Sequence, residues 1–455
     1  MRFLLPLLAL LLAAHDSPAA DKPNIIIFLI DDLGATDLGC TGSTFYETPN
    51  IDRLAKDGCL FPNTYAACTV CSPTRSAIIT GKYPARLHIT DWIAGHNRPF
   101  AKLKIPDWQQ ELPKTEKTIA HWLGEAGYRT CAIGKWHLSP GGPAAHGFDI
   151  AIADNHKGQP ASYLSPYHNP NITDGPPGES LTHRLTEEAA KFITTKSDKP
   201  FFLYFAHYAV HTPLGARPEV TAKYEEKAKI TTPQGKAKYA AMIEGVDDSV
   251  GRIRALLAEQ KLADNTLIIF TSDNGGLILG DVTSNLGMRA GKGSAYEGGV
   301  RVAGIVDWPG VSRPGTTNAT PVITMDWFAT VLDAAGVKAP SEGVSVRPLL
   351  RGEKVAPRPL FWHYPHYHPG GATPYSAIRD GDFRLVHFYE DGRDELYNLA
   401  ADPEEKRDLA ATEKEKTAAL RAKLDTWLKE TGAQFPTPNP NYDPAKDAPK
   451  RAGKK

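Results

Sequence analysis

Five cysteines and four methionines are all the sulfur that 455 residues carry. So sparse a supply excludes a small disulfide-stapled scaffold, and the fold has to rest on a packed core. An excess of one charge is missing too, since Lys plus Arg and Asp plus Glu number 52 each. No overall field recruits nucleic acid or an anionic membrane, and any selectivity for anions must be local. After the first residues there is no long apolar run to serve as a membrane anchor, and no internal repeat. The one such run, 3–14, follows Arg2, contains Pro6 and leads to Ser17-Pro18-Ala19-Ala20. It is too short to span a bilayer and reads as a secretory signal peptide over 1–20, which predicts a secreted or periplasmic protein.

What is present is an ordinary globular composition, 41% hydrophobic. Residues 24–30 form an apolar run that stops at Asp31-Asp32, the pattern of a strand buried on both faces. Similar runs at 201–205, 266–270 and 302–306 alternate with helical patterns at 118–126, 181–195, 238–262 and 325–335. The alternation predicts an α/β fold, a large mostly parallel sheet with helices on both faces, whose ligands bind beyond the strand carboxyl ends. Past Gly343 the pattern changes. Strand-like segments 375–379, 383–389 and 395–398 are joined at Asp380-Gly381 and Asp391-Gly392, and a helix over 413–430 follows. This predicts a smaller C-terminal antiparallel sheet with a packed helix. The chain thus divides into a leader (1–20), a large α/β domain (21–343), a C-terminal subdomain (344–435) and an extended or disordered tail (436–455).

Asp31 and Asp32 follow the first strand, and Asp273 and Asn274 follow another in Thr271-Ser272-Asp273-Asn274-Gly275-Gly276. Three carboxylates and an amide oxygen are hard ligands, suited to calcium or magnesium rather than zinc. Either pair alone could equally cap a helix or make a turn. Two such pairs at the ends of two buried strands point to one cation site. Cys68 and Cys71 also read as C-x-x-C, a redox pair or half a zinc site. No second ligand pair stands at zinc spacing, and Pro73 with the apolar run to Ile79 belongs to a pattern much longer than a thioredoxin-like unit.

The stretch Cys71-Ser72-Pro73-Thr74-Arg75, continued to Gly81, resembles the maturation and active-site signature of the sulfatases. Gly127-Tyr128-Arg129-Thr130 and Gly134-Lys135-Trp136-His137-Leu138 resemble the second signature, with Ser139 where the family often has Gly. His211 in Tyr208-Ala209-Val210-His211-Thr212-Pro213, Lys292 in Arg289-Ala290-Gly291-Lys292-Gly293, and residues 325–333 and 394–399 also match, in order, so the resemblance covers nearly the whole chain after the leader.

The resemblance implies an alkaline-phosphatase-like fold and hydrolysis of sulfate esters. It implies that a formylglycine-generating maturation enzyme oxidises Cys71 to Cα-formylglycine, whose hydrated aldehyde is the nucleophile toward sulfur. It implies one calcium ion held by Asp31, Asp32, Asp273 and Asn274 together with residue 71. Arg75 would stabilise the formylglycine and the metal ligands, Lys135 would bind sulfate and His137 would act as base on the formylglycine. His211 and Lys292 would contact the sulfate and the leaving oxygen. From the residues themselves, Lys135 and His137, two apart in an extended segment, would point to one side. With Cys71 converted, Cys40, Cys59, Cys68 and Cys131 remain, an even number that could pair in three ways.

For the substrate, His88, Asp91, Trp92, His96, Asn97 and Arg98 lie in a loop after the nucleophile segment. His363, Tyr364, His366, Tyr367 and His368 lie in a Pro- and Gly-rich loop of the C-terminal part. Aromatics and short polar side chains on loops suit a sugar ring, and they serve equally to pack two domains together. Similarity to exported carbohydrate sulfatases implies a sulfated glycan or oligosaccharide, with galactose or N-acetylgalactosamine sulfate as a narrower guess. The rival readings are a phosphomonoester or phosphonate ester hydrolase of the same superfamily, and a non-catalytic glycan-binding protein that keeps Cys71 unmodified.

Overall fold

The computed structural model describes residues 22–447, so the leader expected over 1–20 lies outside the described residues. Eight strands form the main sheet: β1 (Asn24–Ile30), β2 (Cys59–Leu60), β3 (Arg129–Lys135), β4 (Ile150–Asn155), β5 (Phe201–Ala206), β6 (Thr266–Ser272), β7 (Gly304–Asp307) and β8 (Thr316–Thr317). Their order is β8-β2-β7-β6-β1-β5-β3-β4, and only β7 runs against the rest.

All seven residues of β1 are buried, as its unbroken apolar run requires. Successive side chains enter opposite layers. Ile26, Phe28 and Ile30 join the core beneath helices α2 (Leu181–Thr194) and α3 (Ala237–Glu259). Ile25, Ile27 and Leu29 pack with Ile78 and Ile79 of helix α1 (Cys71–Thr80) and with Trp327 and Phe328 of helix α4 (Met325–Ala334). The sheet is therefore sandwiched by helices, and the ends of β1, β3, β5 and β6 share one rim.

The run at 302–306 is not one strand. Arg301–Val302 pairs with Thr64–Tyr65 in a separate small sheet, and β7 then joins the main sheet antiparallel. Gly304 allows that crossing, because a Cβ there would stand 2.1 Å from Thr64 Oγ1. The C-terminal sheet has four strands, β9 (Leu360–Tyr364), β10 (Tyr375–Asp380), β11 (Phe383–Phe388) and β12 (Asp394–Asn398), all antiparallel, with helix α5 (Lys414–Thr431) packed on it. Trp427 of α5 stacks on Phe361 at 4.8 Å, and Trp362 donates its indole N–H to the Ala66 carbonyl of the larger domain. All five cysteines are free, so none of the three pairings of Cys40, Cys59, Cys68 and Cys131 is formed. They belong to different elements: Cys59 lies on β2, Cys131 on β3 and Cys40 in a short 3-10 turn.

Candidate active site

Helix α1 starts at Cys71 with no side-chain cap, so its first-turn N–H groups and positive dipole end face the sheet rim. Pro73 fits there because a first-turn residue needs no N–H. Cys71 is fully buried among charged groups delivered by the strand ends. Lys292 Nζ lies 3.5 Å from Cys71 Sγ and 2.7 Å from Asp32 Oδ1. Single ligand atoms of Asp31, Asp32, Cys71 and His211 all fall within 4.8 Å of one another. Arg75 reaches Asp273 Oδ2 through Nε and Nη2, both at 2.8 Å, and its Nη1 donates to the Lys135 carbonyl. Lys135 Nζ is 2.5 Å from Asp31 Oδ2. Asn274 Nδ2 donates to Asp32 Oδ1 at 2.8 Å.

Three oxygens of this cluster, Asp31 Oδ1, Asp32 Oδ2 and Asn274 Oδ1, are buried without a hydrogen-bond partner among the described residues. Buried acceptors of this kind carry a desolvation cost unless something satisfies them. All are hard oxygens with carboxylate charge beside them, which fits a calcium- or magnesium-type cation. Burial and the neighbouring Asp273 push the Asp31 carboxyl up to about 7, against the pull of Lys135 and Arg75. Burial also opposes ionisation of Asp32, but Lys292 and His211 hold its carboxyl below the usual range. Burial pushes the Cys71 thiol up to about 11, even with Lys135 and Lys292 nearby. An unmodified thiol there is protonated at neutral pH and a poor nucleophile.

His137 lies past the end of β3 in a left-handed conformation, φ 56°, so the extended-segment argument for Lys135 and His137 does not hold. The two still converge on the site, at different depths. Lys135 is fully buried against Asp31, while His137 lines the cleft and points Nε2 at the Ile93 carbonyl. His211 is held by Tyr163, whose hydroxyl donates to the Tyr208 and His211 carbonyls.

A cleft of about 590 Å³ opens over Cys71, lined by Trp92, Ile93, His96, His137, His211, Lys292 and His368 among others. Of the proposed sugar-binding residues it thus receives Trp92, His96 and His368. Arg98 and Asn97 line a neighbouring cleft. The others need correcting. His363 is on strand β9, not in a loop, and its ring nitrogens meet Ser376 Oγ and the Gln434 carbonyl. His366 is buried against Thr90 Oγ1 and Trp108. His88 contacts the Gly432 carbonyl, and Asp91 accepts from the Tyr364 hydroxyl at 2.7 Å. None of the four lines the cleft over Cys71: His363 packs within the C-terminal part, whereas His88, Asp91 and His366 make contacts between that part and the rest of the chain. Sequence reasoning missed the opposite wall, His156, Lys157, Gly158 and Gln159, which follows β4. Its one available signal was its place beyond a strand carboxyl end.

A family model described as Sulfatase matches residues 23–337, and one described as N-sulphoglucosamine sulphohydrolase, C-terminal, matches residues 291–434. A Formosa agariphila protein named Sulfatase is 33% identical, over 90% of this chain and 89% of its own length. N-acetylgalactosamine-6-sulfatase from Homo sapiens is 34% identical, over 76% of this chain and 69% of its own. The solved structure of Ps i-CgsB in complex with k-i-k-neocarrahexaose superposes with a TM-score of 0.76 at 30% identity, covering 93% of this chain and 95% of that one.

Proposed function

From the premise that this chain belongs to the sulfatase family and is a sulfuric ester hydrolase with an alkaline-phosphatase-like fold, we propose that it removes sulfate from a sulfated carbohydrate through a formylglycine made from Cys71. The observation that carries this reading is the convergence of Lys292, Asp31, Asp32 and His211 on Cys71 Sγ at the start of α1. That sulfur stands in for the oxygens of the hydrated aldehyde. Asp31, Asp32, Asp273 and Asn274 would hold a calcium ion, whose charge would favour ionisation of a hydroxyl of the converted residue at neutral pH.

The chain's own residues do the rest. Arg75 holds Asp273 and, through the Lys135 carbonyl, fixes the end of β3. Lys135 places a second positive charge beneath residue 71 and favours an anion there. Lys292 donates toward Sγ and Asp32, and its third proton remains for a sulfate oxygen or for the departing alcohol. His211 lines the same cleft and accompanies it at the leaving oxygen. His137 keeps its proton on Nε2 for the Ile93 carbonyl, so Nδ1 is the atom that accepts a proton from the nucleophile side.

The relatives' names support a sugar sulfate, among them N-acetylgalactosamine-6-sulfatase and Ps i-CgsB in complex with k-i-k-neocarrahexaose. A galactose or N-acetylgalactosamine sulfate is the substrate we propose, met by Trp92, His96 and His368. Residues 1–20, read as a signal peptide, would export the chain, and no helix among the described residues is long and apolar enough to cross a membrane. Parallel assays of matured protein on sulfate and phosphate esters of the same alcohol test the reading. Turnover of the sulfate is expected, and preference for the phosphate would transfer the protein to the phosphohydrolase reading.

A further inference from the structure

Residues beyond α5 form a strap over the rim of the site. Thr437 and Pro438 pair antiparallel with Leu103 and Lys104. Asn439 Nδ2 donates to the carbonyls of Pro99 and Ala101, at 3.0 and 2.7 Å. Lys446 Nζ lies over the Phe100 ring at 5.2 Å. Asp447 Oδ1 accepts from Arg98 Nη2 at 2.6 Å, and the Arg98 guanidinium is in turn set over the Tyr367 ring at 4.4 Å. Four separate contacts thus fall on the single short segment 98–104.

This bracing has a product. The braced segment, the strap and residues 367–373 enclose a second cleft of about 680 Å³. It shares His96 and His368 with the cleft over Cys71, and those two rings meet edge to face at 5.0 Å. The two clefts are therefore neighbours across one pair of imidazoles. The second is lined by Arg98 and Lys446, set over the rings of Tyr367 and Phe100, and by short polar side chains at Asn97 and Thr373, a combination of cations and small polar groups that suits an anionic sugar. Arg98 spends Nε and Nη2 on Asp447, which leaves Nη1 uncommitted among the described residues.

We propose that residues 437–447 build a second saccharide subsite, which holds the sugar next to the sulfated one and meets an anionic substituent on it with Arg98. The inference rests on the carbohydrate-sulfatase reading and adds that the preferred substrate has at least two sugar units. Asp447 lines the cleft beside Arg98 and acts as a positioning residue, because its carboxylate accepts from the guanidinium and so sets it.

The test compares kcat/KM of matured full-length protein for a sulfated monosaccharide, a sulfated oligosaccharide and a small aryl sulfate. Two variants are measured alongside, one ending after Phe435 and one carrying Asp447→Ala. The oligosaccharide should be the best sugar substrate. Each variant should lose about tenfold on it, chiefly through KM, while aryl sulfate turnover stays within about twofold. Asp447→Glu should recover most of the loss. Equal kcat/KM for the two sugars, or an Asp447→Ala protein that treats every substrate as the parent does, overturns the subsite. Calorimetric binding of the desulfated oligosaccharide separates this from failure of the wider reading. Binding that depends on residues 437–447 in protein that hydrolyses no sulfate ester would keep the subsite and sink the sulfatase assignment.

Discussion

His137 Nε2 lies 2.5 Å from the carbonyl oxygen of Ile93. A carbonyl can only accept, so the ring proton is fixed at Nε2 and Nδ1 is left bare, buried and without a protein partner among the described residues. Burial, and then the Lys135 charge, hold this imidazole well below its ordinary pKa, which favours the neutral ring. Nitrogen-15 spectra of histidine-labelled protein should show the Nε2–H tautomer for His137. His137→Asn, compatible with the left-handed backbone there, should lower kcat by about a hundredfold or more while preserving the fold. Near-parental turnover by that variant would remove His137 from the chemistry.

Elemental analysis of the purified protein should find one equivalent of calcium. Asp273→Ala should lose it and also destabilise the fold by about 3–5 kcal/mol, because Arg75 is left buried without its main acceptor. Asn274→Ala should weaken calcium binding with a smaller stability cost, since Asp32 Oδ1 loses one donor but keeps Lys292. Stoichiometric zinc in place of calcium would contradict the hard-ligand reading.

The histidines of the C-terminal part should behave as two classes. His363→Ala and His366→Ala remove buried hydrogen bonds, and each should cost about 1–3 kcal/mol in chemical denaturation with the glycan-to-aryl-sulfate preference unchanged. His368→Ala should shift that preference with little loss of stability, because its ring lines the cleft. A preference shift in all three variants alike would restore the loop reading of 363–368.

Gly293 has φ 73°, and a Cβ there would stand 1.7 Å from His368 Nδ1. Gly293→Ala should therefore displace the His368 ring and disturb the adjacent Lys292, depressing turnover of every substrate. Gly280 has a similar φ of 69° with nothing within 4 Å, so Gly280→Ala should cost only about 1 kcal/mol of strain and leave kcat alone. Equal kinetic effects of the two would mean that backbone strain, not the clash, governs the site.

Much of this architecture was readable before any coordinates. Strands β1, β5 and β6 each carry an apolar run, at 25–30, 201–206 and 267–270, and the polar residues that follow two of them place Asp31, Asp32, Asp273 and Asn274 on the rim. Strand β9 was hidden because Pro357, Pro359 and Pro365 bracket it and mimic a loop, which made His363 look like a surface ligand. The Ile93 carbonyl could not be foreseen, since a backbone acceptor has no residue type. The wall at His156 to Gln159 follows a strand with weak alternation and carries no motif. The left-handed backbone of His137 defeated an argument built on strand alternation.

The central claim is that sulfate-ester turnover requires Cys71 in its oxidised form, and peptide mass spectrometry of active protein, paired with turnover of one sulfated sugar, tests it most directly. Across preparations with different degrees of maturation, activity should rise in proportion to the fraction of Cys71 peptide carrying the aldehyde mass, and Cys71→Ala should be inactive. Full activity from protein whose Cys71 peptide shows only the unmodified thiol would contradict the account.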